Sequence, residues 1–279
     1  MVDARGIGGW TLNVHHVFDP LLQMFCINGS CTAYAVEPKA LFLGSGGMRS
    51  DAEVQASVVL NGNVYLTSED GSEVYLFQNG LHTQTLRPMT GALTYKFDYD
   101  SNARVIKVTD AVGNITIIQR ALNGNPTAIV SPYGQITSLA VNTNGYLSQI
   151  TNPAGQISKF TYSSRGLMTS YTDPKGNIYS FSYDGLGRLL KHADPAGGSI
   201  SFARANNTSG CTVTETTALG PITKYQTAFS STSSSTTQQF TNTWPNGLTA
   251  TESKTRQSGH TSEATVFPDG TSYSESRGA

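Results

Sequence analysis

Polar and apolar residues alternate along most of this chain. Ile157, Lys159 and Thr161 interleave with Ser158, Phe160 and Tyr162, and Ile178-Tyr-Ser-Phe181-Ser-Tyr183 obeys the same rule. Successive side chains of a strand point to opposite faces, so a period of two predicts half-buried β-strands. The runs are about six to eight residues long, which is strand length rather than helix length. They are rich in Ile, Val, Phe, Tyr and Thr, residues that suit a pleated surface.

Turns separate the runs at a fixed step. The tetrads Asp110-Ala-Val-Gly113, Ser131-Pro132-Tyr-Gly134, Asn152-Pro153-Ala-Gly155, Asp173-Pro174-Lys-Gly176 and Asp194-Pro195-Ala-Gly197 place each glycine 21 residues after the last. A second series, Gly124, Gly145, Gly166 and Gly187, keeps that step. Proline presets φ in a turn, glycine accepts positive φ, and a leading Asp, Asn or Ser bonds the turn backbone. Two turns per period predict one β-hairpin-like pair per repeat. Four apolar columns emerge when the repeats are superposed. They are Phe97, Ile118, Leu139, Phe160, Phe181 and Phe202; Ile115, Ile136, Ile157 and Ile178; Val105, Leu147, Met168 and Leu189, with Pro126 interrupting; and Val108, Ile129, Ile150 and Tyr171. Such columns are expected to stack into continuous ridges as pairs add to a sheet.

The rhythm loosens at both ends. Gly6 to Gly9 reads as a turn entering a strand that runs to Val17, and Leu41-Phe-Leu43 as a strand ending in the Gly44–Gly47 loop. A short helix can be argued from Asp51, but Val58-Val-Leu60 before Asn61-Gly62 favours a strand entering a hairpin. After Phe202 the turns at Gly220-Pro221, Trp244-Pro-Asn-Gly247 and Phe267-Pro-Asp-Gly270 come about 23 residues apart. The Ser230–Gln239 stretch has the composition of a linker, yet Tyr225, Phe229 and Phe240 bracket it, so strands are expected there. The chain is therefore read as one all-β module over 1–279: irregular opening strands at 1–63, regular repeats at 64–202 and degenerate repeats at 203–279. A parallel β-solenoid is the other fold the period allows; proline at the turns and two turns per repeat favour antiparallel pairs.

Tyr99-Asp100-Ser-Asn-Ala-Arg104-Val105 and Tyr183-Asp184-Gly-Leu-Gly187-Arg188-Leu189 resemble the YD repeat, whose core is Tyr-Asp-x-x-Gly-Arg-Leu. Thr109-Asp110-Ala-Val-Gly113-Asn114 and Thr172-Asp173-Pro174-Lys-Gly176-Asn177 resemble the element that comes after it, and Tyr162-Ser-Ser-Arg165-Gly166-Leu167 is a degenerate copy. The chain is thus similar to the bacterial Rhs proteins and, more distantly, to animal teneurins, most clearly from Gly71 to Phe202. The resemblance implies a β-sheet spiralling into a hollow shell that encloses a C-terminal toxin or effector before delivery to a rival cell. It implies as partners the remainder of the shell, the enclosed toxin domain and a secretion apparatus. The protein would be secreted or envelope-associated by a route not encoded in this chain, and cytoplasmic before export. The chain stops soon after Gly270 with nothing like a closing cap, so it is expected to be a piece of a longer protein whose bare sheet edges self-associate.

Composition narrows the chemistry. Charged residues make up 13% of the chain and the net charge is −1, which gives no electrostatic case for nucleic acid or an anionic membrane. No apolar run approaches the ~20 residues of a membrane span, and no basic segment leading into an apolar core marks the N-terminus. The Gly6–Trp10 stretch is a poor phosphate loop, since no Lys comes after it. His15 and His16 are adjacent and would point to opposite faces of a strand, so a structural or exposed role is expected rather than metal chelation. His82, His192 and His260 have no partner motif and are assigned no role.

Cys26 and Cys31 flank Asn28-Gly29, a strong hairpin signal. A cross-turn disulfide and two reduced buried thiols are both open readings, and Cys211 is unpaired by sequence. Asp100, Asp110, Asp173, Asp184 and Asp194 recur by turn position, as backbone-bonding residues do, rather than as a paired acid and base. No enzyme, catalytic residue, cofactor or metal is therefore expected. The alternative from another class is a binding module in which Tyr75, Tyr95, Tyr133, Tyr146, Tyr171 and Tyr179 stack on glycan or a partner protein. Strand packing uses the same residues.

Overall fold

The computed structural model describes residues 16–19, 24–27, 30–33, 57–60, 63–68 and 70–278. All regular elements among them are β-strands. The opening strands are β1 (Val17–Asp19), β2 (Met24–Ile27), β3 (Ser30–Ala33), β4 (Ser57–Leu60), β5 (Asn63–Thr67), β6 (Val74–Gln78) and β7 (Leu81–Leu86). The regular repeats supply β8 (Leu93–Tyr99), β9 (Val105–Asp110), β10 (Ile115–Arg120), β11 (Pro126–Val130), β12 (Ile136–Val141), β13 (Leu147–Thr151), β14 (Ile157–Tyr162), β15 (Met168–Thr172), β16 (Ile178–Tyr183) and β17 (Leu189–Ala193). Longer strands complete the chain: β18 (Ser199–Asn207), β19 (Gly210–Thr217), β20 (Ile222–Ser231), β21 (Ser235–Thr243), β22 (Thr249–Gln257), β23 (His260–Val266) and β24 (Ser272–Gly278).

The described strands pair antiparallel, mostly with their neighbours in sequence, and the parallel solenoid falls away. Ser57–Leu60 is strand, not helix, and the Leu60↔Asn63 register fits the expected two-residue hairpin. The Gly6–Gly9 turn, the Leu41–Gly47 segment and residues 51–56 lie outside the described residues. The Ser- and Thr-rich stretch from Ser230 is strand on both sides of a short turn, as the bracketing aromatics predicted.

Two compact units divide the chain, Met1–Phe160 and Thr161–Ala279. In the first, register pairs Phe97 with Val108, Ile118 with Ile129 and Leu139 with Ile150, so two of the predicted columns interleave on one face. Phe97, Val105, Val108 and Ile118 form one buried cluster under Tyr95 and Tyr99. Leu139 and Leu147 form another with Ile129 and Ile150.

A β-bulge recurs at the end of the longer-spaced pairs, between Asp98 and Tyr99, Gln119 and Arg120, and Ala140 and Val141. One extra residue reverses the facing of the residues beyond it. Val105 thereby joins Val108 in the core although three residues separate them. Pro126 does not interrupt its column. It is the buried first residue of β11, the position where a strand tolerates a missing N–H.

The isoleucine column departs from expectation. Ile115, Ile136 and Ile157 are 42%, 51% and 41% exposed. They begin their strands one residue out of phase with the buried column and so take the opposite face. In the second unit Ile178 is likewise exposed, and none of the described residues is fully buried.

The long strands sort their chemistry by face. One row crosses Ser230, Thr237, Thr255, Ser262 and Ser276 in successive strands. The opposite face carries Tyr225, Phe240, Glu252, Lys254 and Glu263.

Candidate functional site

The recurrent polar residues converge on the turns. In the tetrad at Asp110, Oδ1 accepts the backbone N–H groups of Val112 and Asn114, and the Asn114 side-chain amide donates to Oδ2 at 2.8 Å. Asp173 repeats this with Lys175 and Asn177, and Asn152 with Ala154 and Gln156. The backbone closes the same loop: Gly113 N–H donates to Asp110 O, and Asp110 N–H to Asn114 O. Glycine stands at the positive-φ corner, with φ of 90° at Gly113 and 77° at Gly155.

The Tyr-Asp turns use the same latch with an arginine. Asp184 accepts from Leu186 N–H and Arg188 N–H, while Arg188 Nε donates to Oδ2 at 2.7 Å. Asp100 and Arg104 match it at the first copy. The tyrosine preceding each aspartate reaches back across the sheet. Tyr99 donates to His82 O at 2.6 Å and Tyr183 to Met168 O at 2.8 Å. Tyr, Asp, Gly and Arg of the motif therefore secure the backbone of a turn and tie it to an earlier strand.

These bonds decide what the carboxylates can do. Donors around Asp110, Asp173 and Asp184 hold their carboxyls below the usual range, the largest causes being the Asn114 side chain, the Asn177 side chain and the Arg188 backbone respectively. A general acid at neutral pH needs a raised pKa. These carboxylates stay ionised and spend their lone pairs on the turn.

A groove in the second unit is lined by Leu189, Leu190, Phe202 and Val213, with Asp184 and Arg188 at its edge already paired to each other. Among the described residues no group of three or more His, Cys, Asp or Glu could hold a metal ion. No helix among them is long and apolar enough to cross a membrane.

The aromatic candidates divide. Tyr75 is buried and leaves the set of surface-binding residues. Tyr95 packs on the core and Tyr146 is half-buried, while Tyr133 is exposed. Tyr171 stacks on Tyr179 at 5.6 Å, and Phe181 on His192 at 5.0 Å; these are cross-strand partners. His192 continues the Val108–Ile129–Ile150–Tyr171 column, 21 residues after Tyr171.

Sequence reasoning missed one cluster. His16 and His82, 66 residues apart, stack inside the first unit with Tyr75, Phe77 and Phe97 around them. No local spacing signals that pairing. Cys26 and Cys31 face each other in register across β2 and β3, and Cys211 is free.

Fold and turns together define a tandem-repeat β wall whose recurring polar residues latch hairpins. The Teneurin YD-shell family model matches residues 61–268, and the chain belongs to that family. A structural shell role follows from that membership.

A 90-residue stretch is 37% identical to Teneurin-3 of Mus musculus, spanning 31% of this chain and 3% of the mouse protein. Among solved structures, the chain is similar to part of a Photorhabdus luminescens Tc holotoxin pore, with 12% identity, 80% of this chain and 17% of that chain covered, and a TM-score of 0.31. It is also similar to part of TcdB2–TccC3 without its hypervariable C-terminal region, with 10% identity, 79% and 21% covered, and a TM-score of 0.22. The chain spans a small fraction of each of these relatives.

Proposed function

We propose that this chain is a non-catalytic wall segment of a YD shell that encloses a polypeptide cargo, a C-terminal toxin or effector domain, and serves its delivery to a rival cell. The observation that carries this is the use of the recurring Asp, Asn and Arg side chains inside the turns. The residues that repeat are those that hold hairpins in series, which is what a wall requires. The whole of 1–279 acts as one module of that wall, with no catalytic, cofactor or metal residue of its own. The secreted or envelope location follows from the delivery role.

Protease protection of the natural full-length protein tests the reading. An enclosed cargo domain resists protease until the wall is cut or unfolded, and becomes sensitive when expressed alone. A cargo domain equally sensitive in both contexts overturns it. A genuine stop codon after Ala279, with no cargo encoded, does the same.

A further inference from the structure

The buried histidine pair is left unexplained by turn latching. His16 immediately precedes β1, His82 is the second residue of β7, and Val17 pairs with Leu81 beside them. The His16 backbone N–H donates to Nδ1 of His82 at 3.2 Å. An accepting Nδ1 carries no proton, so neutral His82 bears its proton on Nε2, which donates to Thr85 Oγ1 at 3.1 Å. The rings stack with centroids 5.1 Å apart. Tyr75 meets His16 edge-on at 4.2 Å, and Phe97 lies 4.5 Å from His82. Exposure is 3% for His16 and 1% for His82. His16 Nδ1 is buried without a hydrogen-bond partner among the described residues.

Both protonations conflict with this geometry. A second proton on His82 would turn the acceptor of the His16 N–H into a donor facing a donor. A proton on His16 would place a charge among aromatic rings, with no acceptor for Nδ1 among the described residues, and burying an unpaired charge is costly. We propose that His16 and His82 form an acid-sensitive clasp, which holds β1 on β7 while both imidazoles are neutral and releases it when they are protonated. The clasp stands whether or not the chain encloses a cargo.

Burial lowers the His16 pKa from 6.5 to about 4. A folded pKa below the unfolded one means that the stabilisation is full above about pH 6.5 and is lost as pH falls toward 4. From His16 alone, the open fraction is expected to rise roughly thirty-fold between pH 7.5 and pH 5. The titratable groups facing the pair from packed strands are Tyr75 of β6 and Tyr99 of β8, phenols that carry no charge in acid. Glu73, just before β6, acts on Tyr75. Thr85 of β7 does not titrate.

Amide hydrogen exchange of the whole chain, corrected for the intrinsic pH dependence of exchange, reads the clasp directly. Peptides covering β1 and β7 should lose protection by an order of magnitude or more between pH 7.5 and pH 5, while a peptide covering β12 holds its protection. His16→Phe keeps the ring and removes the titration, so its β1 protection should not change over that range. Equal wild-type protection at both pH values, or an acid transition retained in His16→Phe, overturns the proposal. Should that variant fold poorly, ring-nitrogen NMR on the wild type decides. Both imidazoles neutral at pH 6, with the His82 proton on Nε2, support the clasp; ordinary titration near 6.5 with β1 still protected refutes it.

Discussion

Asp100 and Arg104 are joined twice: the Arg104 backbone N–H donates to Oδ1 at 3.0 Å and its Nε to Oδ2 at 2.7 Å. Both side chains are mostly buried, at 21% and 18% exposure. Two periods later Asn142 stands in the aspartate's place and accepts the N–H groups of Asn144 and Tyr146. The turn therefore needs the Oδ1 acceptor more than it needs the ion pair. Asp100→Ala is expected to destabilise by ~1–2 kcal/mol, since it orphans backbone donors, and Asp100→Asn by less than ~1 kcal/mol. Urea unfolding of both variants checks the order.

Ala103 occupies the corner that glycine fills in the other Tyr-Asp turns, with φ of 59°. A side chain in the left-handed region is strained by ~1–2 kcal/mol, part of which glycine's extra unfolded-state freedom cancels. Ala103→Gly should stabilise by ~0.5–1 kcal/mol. Gly155→Ala should do the reverse by ~1 kcal/mol, although open space surrounds the position, because φ of 77° and not crowding sets the cost. Thermal melts of the two variants should shift in opposite directions.

Phe97 and Ile136 both belong to apolar columns but face opposite ways, with exposures of 2% and 51%. Phe97→Ala is expected to cost ~3–5 kcal/mol as a buried truncation, and Ile136→Ala well under ~1 kcal/mol. Equal costs from denaturant titration would contradict the assigned faces.

Asp70 accepts from Ser68 Oγ, Ser72 N–H and Ser72 Oγ, which hold its carboxyl down at about 2. A folded pKa below the unfolded one adds stability that is present above pH ~4 and lost as pH falls toward 2. Asp70→Asn should flatten that acid limb of the stability curve while leaving the His16 transition at higher pH unchanged. Denaturant midpoints measured across pH 2–7 separate the two windows.

Much of the wall was legible because it is written locally. A Pro-Gly tetrad and a leading Asp set a turn by bonds within five residues, as at Asp173 and Asn177, and the period then counts the strands. The turn role of the aspartates came from the same spacing. The places of Pro126 and Ile115 were not legible, because a column shows that a position is apolar and not which face it takes.

The sequence alone determined the hairpin series, its period and the chemistry of its turns, since each depends on contacts between near neighbours. Tertiary structure decided which apolar columns are covered. A one-residue bulge switches a side chain's face without altering the residue pattern, so Val105 enters the core and Ile115 is left outside. It also decided that His16 meets His82, because a contact across 66 residues exists only once the strands between them have paired.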